Sequence, residues 1–482
     1  MPLKFGTSGV RGLVSEFTDR EVYLLVTAFL KHACTNSDKT PVATGMDLRE
    51  SSPNILKAAH RAIFDFGCPI YSCGVLPTPA LANFAQIKKF LSLIVTGSHI
   101  PADRNGVKFY LTTGETLKQD DENIFAIYQS LRSDNFCSNL FNAEGNFNES
   151  QNVILLDTSA QANKVYSQRY TDFFTDSPLR GLKVLVYQHS SAARDILPKI
   201  LTDLGASTIE IGRSDTFIPV DTEAVESLDQ FKFWIKSHDA DALVSTDGDG
   251  DRPLVIDNLG NLVQGDKLGI LTAKLLNIAA IGLPISCNTG ISQISSFKEI
   301  TYTKIGSPYV VEALNNLNKK HTSVAGFEAN GGFILSTQVK KSKTLEALPT
   351  RDSVLPIISI LTAAALQKRK LHEIIAELPA RFTSSILVKN CPLEKSSQIL
   401  KAVQNSPYEF IKDLVEVSKD ANLTVNNLDG VRITTKENEI IHFRPSGNAP
   451  EFRCYTEAST QQRADEISQK ALRKISHMIS SD

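Results

Sequence analysis

The sequence predicts a multidomain α/β protein closed by a smaller α+β unit. Three observations carry this. The chain has 482 residues, too many for one compact core and enough for about three or four domains. Short apolar runs alternate with stretches of helical spacing through most of its length, the pattern of α/β layers with a largely parallel sheet. Beyond about residue 382 the rhythm changes to alternating strands mixed with two helices, which suggests an antiparallel sheet.

Taken in order, residues 41–44 form a short apolar strand and 52–66 have helical spacing. Residues 70–75 are strand-like, and Pro77-Thr78-Pro79 opens the next helix. Residues 91–95 are an apolar run that stops at Thr96-Gly97-Ser98-His99. The polar, Asn-rich stretch 134–152 reads as a long loop or insertion. A second round follows, with a strand at 182–187, a helix at 192–204, a strand at 208–211, and a strand at 242–245 that ends in Thr246-Asp247. A third runs from 268 to 333, and a helix capped by Asp352 extends to about residue 368. The closing unit has strands at 385–388, 430–434, 440–444 and 451–457, with helices at 396–404 and 461–478. Each α/β round carries a glycine-rich loop after a strand.

The charge balance excludes some functions. A hydrophobic fraction of 42% and a charged fraction of 22% are those of a soluble globular protein. A formal net charge of −2 gives no global positive field, so a general nucleic-acid or membrane binder is not expected. No C-x-x-C pair occurs among the 7 cysteines, which reads as free thiols in a reducing compartment. The opening MPLKFGTSGVRG lacks the apolar core of a signal peptide, and no apolar run approaches the ~20 residues of a spanning helix. A cytoplasmic protein is expected.

Four loops carry the chemistry. Thr96-Gly97-Ser98-His99-Ile100-Pro101 presents a serine after a buried strand. A hydrolase elbow needs G-x-S-x-G, and Thr96 and Ile100 occupy both glycine positions. The hydroxyl is free to carry a phosphoryl group, whose charge demands a cation or basic groups nearby; the plain alternative is a turn serine. In Asp247-Gly248-Asp249-Gly250-Asp251-Arg252, three carboxylates on alternate residues converge on one side and suit a hard cation. An EF-hand would need Glu at the twelfth position, where Asn258 stands. Mg²⁺ fits better, since it keeps phosphate oxygens in its shell. A solvated acidic turn is the alternative, and it leaves three crowded aspartates without a cation.

Gly326-Phe327-Glu328-Ala329-Asn330-Gly331-Gly332-Phe333 places a carboxylate and an amide two residues apart, able to read vicinal hydroxyls of a sugar, or else makes a hairpin turn at Asn330-Gly331. Arg444-Pro445-Ser446-Gly447-Asn448-Ala449-Pro450-Glu451-Phe452-Arg453 flanks a Ser-Gly-Asn turn with two arginines, a phosphate cradle or an ordinary hairpin loop. Each loop supplies what another lacks.

With these segments, FGTSGVRG at 5–12 and NGVKFY at 105–110 in place, the sequence resembles the α-D-phosphohexomutase superfamily, and within it the bacterial phosphomannomutases most closely, over nearly the whole chain. The resemblance implies four domains around a central cleft, at residues 1–163, 164–259, 260–381 and 382–482. Three would be α/β domains of one topology and the fourth an α+β domain related to the TATA-binding-protein fold. It implies exchange of phosphate between the 1- and 6-positions of a hexose through a phosphoserine and a hexose 1,6-bisphosphate, with Mg²⁺ as cofactor and hexose phosphates as the only implied partners. Ser98 matches the active-site phosphoserine, and Ser98, Asp247, Asp249 and Asp251 match the Mg²⁺ ligands. Arg11 and His99 stand beside the serine, and Lys108 stands where the family carries a basic residue suspected of acid/base work. Thr7, Ser8, Arg252 and Glu328 match substrate-contacting positions, as do Asn330 and the segment Lys304, Gly306, Ser307. Arg444, Ser446, Gly447, Asn448 and Arg453 fall on the phosphate-binding loop.

The chain departs from the family pattern in places. Many members have Asn where Ile100 stands, and most sugar loops read Glu-x-Ser-Gly-His, so that Asn330 replaces the serine and Gly332 the histidine. Many have Thr, then Glu or Asn, at Asn448-Ala449, and Ser307 stands where some phosphomannomutases show histidine. These changes bear on the sugar, so phosphoglucomutase or dual activity stays open beside phosphomannomutase. Glucosamine phosphate is disfavoured by Thr-Ser-Gly in the amino-terminal loop, where phosphoglucosamine mutases have Thr-Asp-Gly. Lys108 could serve as base only with a lowered pKa. Two readings of other classes remain: a phosphatase using Asp247 as nucleophile, and a non-catalytic sugar-phosphate-binding protein.

Overall fold

The computed structural model describes residues 3–6, 9–34, 39–418, 422–445 and 451–480. Its first sheet has strands β1 (Lys4–Phe5), β2 (Val10–Leu13), β3 (Val42–Met46), β4 (Ile70–Val75), β5 (Leu91–Val95), β6 (Arg104–Leu111), β7 (Gly114–Glu115) and β8 (Leu156–Asp157), in the order β1-β2-β6-β5-β3-β4-β8 with β7 on β6. The second is β9 (Lys183–His189), β10 (Ser207–Arg213), β11 (Ala242–Thr246) and β12 (Pro253–Ile256). The third is β13 (Ala280–Pro284), β14 (Glu299–Thr303), β15 (Val324–Phe327) and β16 (Phe333–Leu335). A small hairpin of β17 (Val339–Lys340) and β18 (Thr344–Leu345) then leads to β19 (Leu348–Asp352), which closes that sheet. The fourth, wholly antiparallel, is β20 (Phe382–Lys389), β21 (Thr424–Asn426), β22 (Val431–Thr434), β23 (Ile440–Pro445) and β24 (Glu451–Ala458).

One topology recurs three times. The neighbours run β4-β3-β5-β6, β10-β9-β11-β12 and β14-β13-β15-β16: second, first, third, fourth. In each, the first three strands are parallel and the fourth turns back antiparallel. The serine, aspartate and sugar loops are the connection from third to fourth strand in each sheet. They therefore leave the carboxyl ends of equivalent strands, where α/β sheets bind ligands. This adds an antiparallel strand to each sheet that the sequence predicts only as largely parallel.

The elements follow their sequence signals closely. Helix Asp19–Ala33 begins at Thr18, whose hydroxyl accepts from Glu21 N, and helix Ser52–Phe66 stops at Gly67 in the left-handed region. Helix Val354–Gln367 starts where expected, with Asp352 Oδ1 accepting from Val354 N and Leu355 N. The helix predicted at 192–204 begins only at Ile196, because Ala192 N donates to Gly248 O and ties this segment to the aspartate loop. The 134–152 stretch is irregular apart from one short turn of helix, and Phe141 and Phe147 pack on Tyr23.

One apolar core runs through the first three layers, from Ala43 to Leu378. The fourth sheet has a separate core, from Cys391 to Ile475, centred on Phe443 and Phe452. All seven cysteines are free. No helix among the described residues is long and apolar enough to cross a membrane.

Candidate active site

The serine loop is held by a buried polar scaffold. Asp47, at the end of β3, accepts from Thr96 Oγ1 at 2.8 Å, Gly97 N at 3.2 Å and Ser52 Oγ at 2.6 Å. Arg49 spends all of its N–H groups on this loop: on Asp47, and on the carbonyls of Ser98, Ile100, Pro101 and Arg104. Its guanidinium lies so close to Gly97 that a Cβ there would come within 2.6 Å of Arg49 Cζ. Ser98 itself has φ +56°, a conformation uncommon for a non-glycine residue and one that surrounding structure must impose. So constrained, Ser98 Oγ points across to the second sheet and donates to Asp247 Oδ2 at 2.5 Å.

Asp247, Asp249 and Asp251 are buried, with one oxygen from each within 4.8 Å of the others. Their loop is fastened from several sides: Thr78 N donates to Asp249 O, and the Ser353 hydroxyl donates to Gly250 O. Lys108, on β6, donates to Asp249 Oδ2 at 2.6 Å and to Asp251 Oδ2 at 2.7 Å. Asp249 Oδ1 and Asp251 Oδ1 are buried without a hydrogen-bond partner. Such oxygens are costly unless something fills them, and three converging carboxylates with spare lone pairs fit a hard divalent cation.

Charge shapes every group here. Burial, then the charges of Asp249 and Asp251, push Asp247 well above the usual carboxylate range. Burial would raise Asp249 too, but the Lys108 ammonium and its hydrogen bond hold it well below that range. Burial would lower Lys108, yet Asp249 and Asp251 outweigh it and raise its pKa. The lowering that a lysine base requires is therefore not what this arrangement produces. His99, whose Nδ1 lies 3.4 Å from Ser98 Oγ, is pushed well below its ordinary value by burial and by Arg252, Arg11 and Arg453, so its ring is neutral at pH 7. Burial, with Arg252 and Arg351, brings Arg11 down to about 10.

The third loop makes a turn and a site at once. Glu328 and Asn330 are buried in the β15–β16 connection. Asn330 Oδ1 accepts from Gly332 N at 3.0 Å, so the amide shapes the loop as well as facing the cleft. Glu328 accepts from Arg351 Nη1 at 3.2 Å. A Cβ on Gly332 would come within 2.7 Å of Arg351 Cδ, which accounts for glycine at a position where most sugar loops of the resembled family have histidine.

A single cleft is lined by Arg11, His99, Arg252, Glu328, Asn330 and Arg351 from the first three layers, and by Arg444 and Arg453 from the fourth. Gly306 and Ser307 line it as well; the Ser307 hydroxyl donates to Glu115 at 3.0 Å. Lys304 does not: its ammonium lies over the Tyr309 ring in a separate depression. Arg444 Nε donates to Asp429 at 2.9 Å and Arg453 lies 4.0 Å from Glu223. Thr7, Ser8, Ser446, Gly447 and Asn448 lie outside the described residues.

Sequence reasoning missed Asp47, Arg49, Arg351, Glu223 and Tyr455. Arg351-Asp352 did carry a signal, a charged pair inside an apolar stretch, since charges there must be paired.

Comparison with known proteins agrees with this geometry. Residues 2–135, 164–260 and 264–382 match, in turn, alpha/beta/alpha domains I, II and III of phosphoglucomutase/phosphomannomutase. The chain is 39% identical to a phosphomannomutase of Salmonella muenchen, covering 98% of this chain and 95% of that one. It is 40% identical to one from Sinorhizobium fredii, covering 96% and 97%. A phosphoglucosamine mutase of Carboxydothermus hydrogenoformans is 26% identical over 96% of this chain and 97% of its own length. In fold, the chain resembles a putative phosphomannomutase from Thermus thermophilus, with TM-score 0.76 and 20% identity over 99% of both chains. The chain belongs to the phosphoglucomutase/phosphomannomutase family.

Proposed function

We propose that the protein is a phosphomannomutase, interconverting mannose 6-phosphate and mannose 1-phosphate through phosphorylated Ser98 and a hexose 1,6-bisphosphate. The observation that carries the reading is Ser98 Oγ at 2.5 Å from Asp247, on the rim of a three-carboxylate cage. Mannose is favoured because the phosphomannomutases are 39–40% identical to this chain, against 26% for the phosphoglucosamine mutase.

In the first half-reaction the Oγ–P bond of phospho-Ser98 breaks as an O–P bond forms to the free hydroxyl of the hexose monophosphate. The hydroxyl proton leaves to a base and Ser98 Oγ regains one. The bisphosphate turns round and returns its other phosphate by the same step reversed, so the serine ends as it began. Asp247, Asp249 and Asp251 would hold Mg²⁺, which when bound neutralises charge on the transferring phosphoryl oxygens. Lys108, held by Asp249 and Asp251, offsets part of the cage's negative charge; His99, neutral and near Oγ, is the uncharged group beside the proton transfer. Arg444 and Arg453 grip the phosphate that is not reacting, and Glu328 reads hydroxyls in either orientation. The free thiols fit a reducing compartment such as the cytoplasm.

The test is a coupled mutase assay on mannose, glucose and glucosamine 1-phosphates side by side, with intact-mass measurement of phosphate on Ser98. Mannose 1-phosphate is expected to give the highest kcat/KM. Higher kcat/KM for glucose 1-phosphate would reassign the substrate. Release of inorganic phosphate with no isomerisation would overturn the reading.

A further inference from the structure

Arg351 stands at the centre of the site, yet it belongs to none of the four loops. It lies on β19 and is 4% exposed. Its guanidinium reaches two ways: Nη2 donates to Asp251 Oδ2 at 2.7 Å and Nη1 to Glu328 Oε2 at 3.2 Å. Asp251 belongs to the cation cage and Glu328 to the hydroxyl-reading loop. One rigid planar cation is thus shared by the two parts of the site that must act on the same molecule.

Two further observations describe how Arg351 is held in the site. Its Nε–H is buried with no hydrogen-bond partner, although the residue lines the cleft. Its stem also lies against Gly332, where a Cβ would meet Cδ at 2.7 Å and Cγ at 2.9 Å. The sugar loop therefore packs directly against the stem of the arginine that holds Asp251, with no room for a side chain between them.

We propose that Arg351 is a positioning residue that couples sugar-phosphate binding to cation binding, by fixing Glu328 and Asp251 with one guanidinium. This rests on the phosphohexomutase reading. Coupling of this kind is reciprocal: sugar phosphate tightens the cation by the same factor as the cation tightens the sugar phosphate.

The test measures Mg²⁺ binding by calorimetry to the full-length protein, with and without mannose 6-phosphate. Wild type is expected to bind Mg²⁺ about tenfold tighter with the sugar phosphate present, within the usual range of such couplings. In Arg351→Gln the ratio is expected to fall to about one, and in Arg351→Lys, which keeps the charge but not the fork, to recover only partly. Gly332→Ala, which displaces the guanidinium without removing it, is expected to reduce the ratio as well, and it decides the matter if the Arg351 variants do not fold. A brace of the fold alone would lower the melting temperature of these variants and leave the ratio intact. No coupling in wild type, or an unchanged ratio in the variants, overturns the inference. Wild type that isomerises no hexose phosphate overturns the functional reading instead, so the two failures are distinguishable.

Discussion

The serine side of the cleft and the clamp side are built from different materials. Ser98 and the three aspartates stand on layers that share one apolar core from Ala43 to Leu378. The fourth sheet keeps its core to itself and meets the rest through polar contacts. Glu457 accepts from Arg381 Nε at 2.6 Å and from Thr289 N at 3.0 Å; Asp429 accepts from Ile305 N at 2.8 Å. A cavity of about 770 Å³ lies beneath this junction. Separating an apolar interface exposes area worth roughly 25 cal/mol per Å², whereas polar latches exchange their partners for water at much smaller net cost. The difference teaches a division of labour. On the proposed mechanism, the chemistry is held still, and the clamp that would release and regrip a turning bisphosphate is fastened by bonds that can be exchanged.

The comparison breaks most visibly at Arg49. Its removal leaves Asp47 buried and uncompensated and frees the carbonyls of the serine loop. Arg49→Ala is expected to cost about 3–5 kcal/mol in urea unfolding, and Arg49→Lys is not expected to restore it, since no ammonium reaches all these acceptors. A loss below about 1 kcal/mol would mean that the serine loop does not depend on this scaffold.

Ser98→Ala tests the chemistry on the same side. The variant is expected to lose ~10²-fold or more in kcat, roughly 2.7 kcal/mol of transition-state stabilisation, while unfolding like wild type. Intact mass is expected to show about one phosphate on the wild type and none on the variant. Full turnover by the variant would remove the covalent step.

Much of the serine side was legible in the sequence, for a physical reason. Thr96-Gly97-Ser98 and Asp247 to Asp251 concentrate unusual residue types within a few positions, so local chemistry alone marks them. That three domains share one topology was legible through the family resemblance, but the 2-1-3-4 strand order was not, because sheet order is set by long-range pairing that no local pattern records. Arg49 was invisible for the same reason, and Arg351 was marked only as half of a charged pair whose partners the sequence does not name. The role of each appears only when folding brings Ser98 O, or Asp251 and Glu328, within reach. The positive φ of Ser98 was equally hidden, since a serine between glycine and histidine does not announce a left-handed backbone. The clamp loop was legible as two arginines, but its centre lies outside the described residues.

Between the two regions sits Asp266, buried beneath the junction, where Oδ2 accepts from Asn288 N at 2.8 Å and Oδ1 from Lys267 N at 2.8 Å. Burial raises its carboxyl from 3.8 to about 6, more than these bonds and Lys267 lower it. The folded state therefore binds this proton more tightly than the unfolded chain does. Its contribution to stability is fully present below pH ~4 and is lost as pH rises through about 6, on the order of 2 kcal/mol. Asp266→Asn is expected to flatten the fall in urea-unfolding free energy between pH 4 and 6. An identical slope in the two proteins would show that the carboxyl is not perturbed at the junction.

The smallest effect belongs to the clamp itself. Asp429 Oδ2 accepts from both Ile305 N and Arg444 Nε, so one carboxylate registers Arg444, the arginine proposed to grip phosphate, against the segment that carries Gly306 and Ser307 into the cleft. Asn at 429 keeps an acceptor oxygen and loses the charge, which weakens these bonds by about 1 kcal/mol. Two consequences oppose one another. A looser register raises KM for the sugar phosphate, whereas Arg444 relieved of its carboxylate attracts phosphate more strongly and lowers it. The register is expected to prevail, because an arginine grips phosphate through the orientation of its fork and not through charge alone. Asp429→Asn should thus raise KM about fivefold with kcat unchanged, the size of a 1 kcal/mol loss in binding. A fall in KM would show that Asp429 competes with the substrate phosphate for Arg444, and the clamp side would then be tuned by charge and not by its latches.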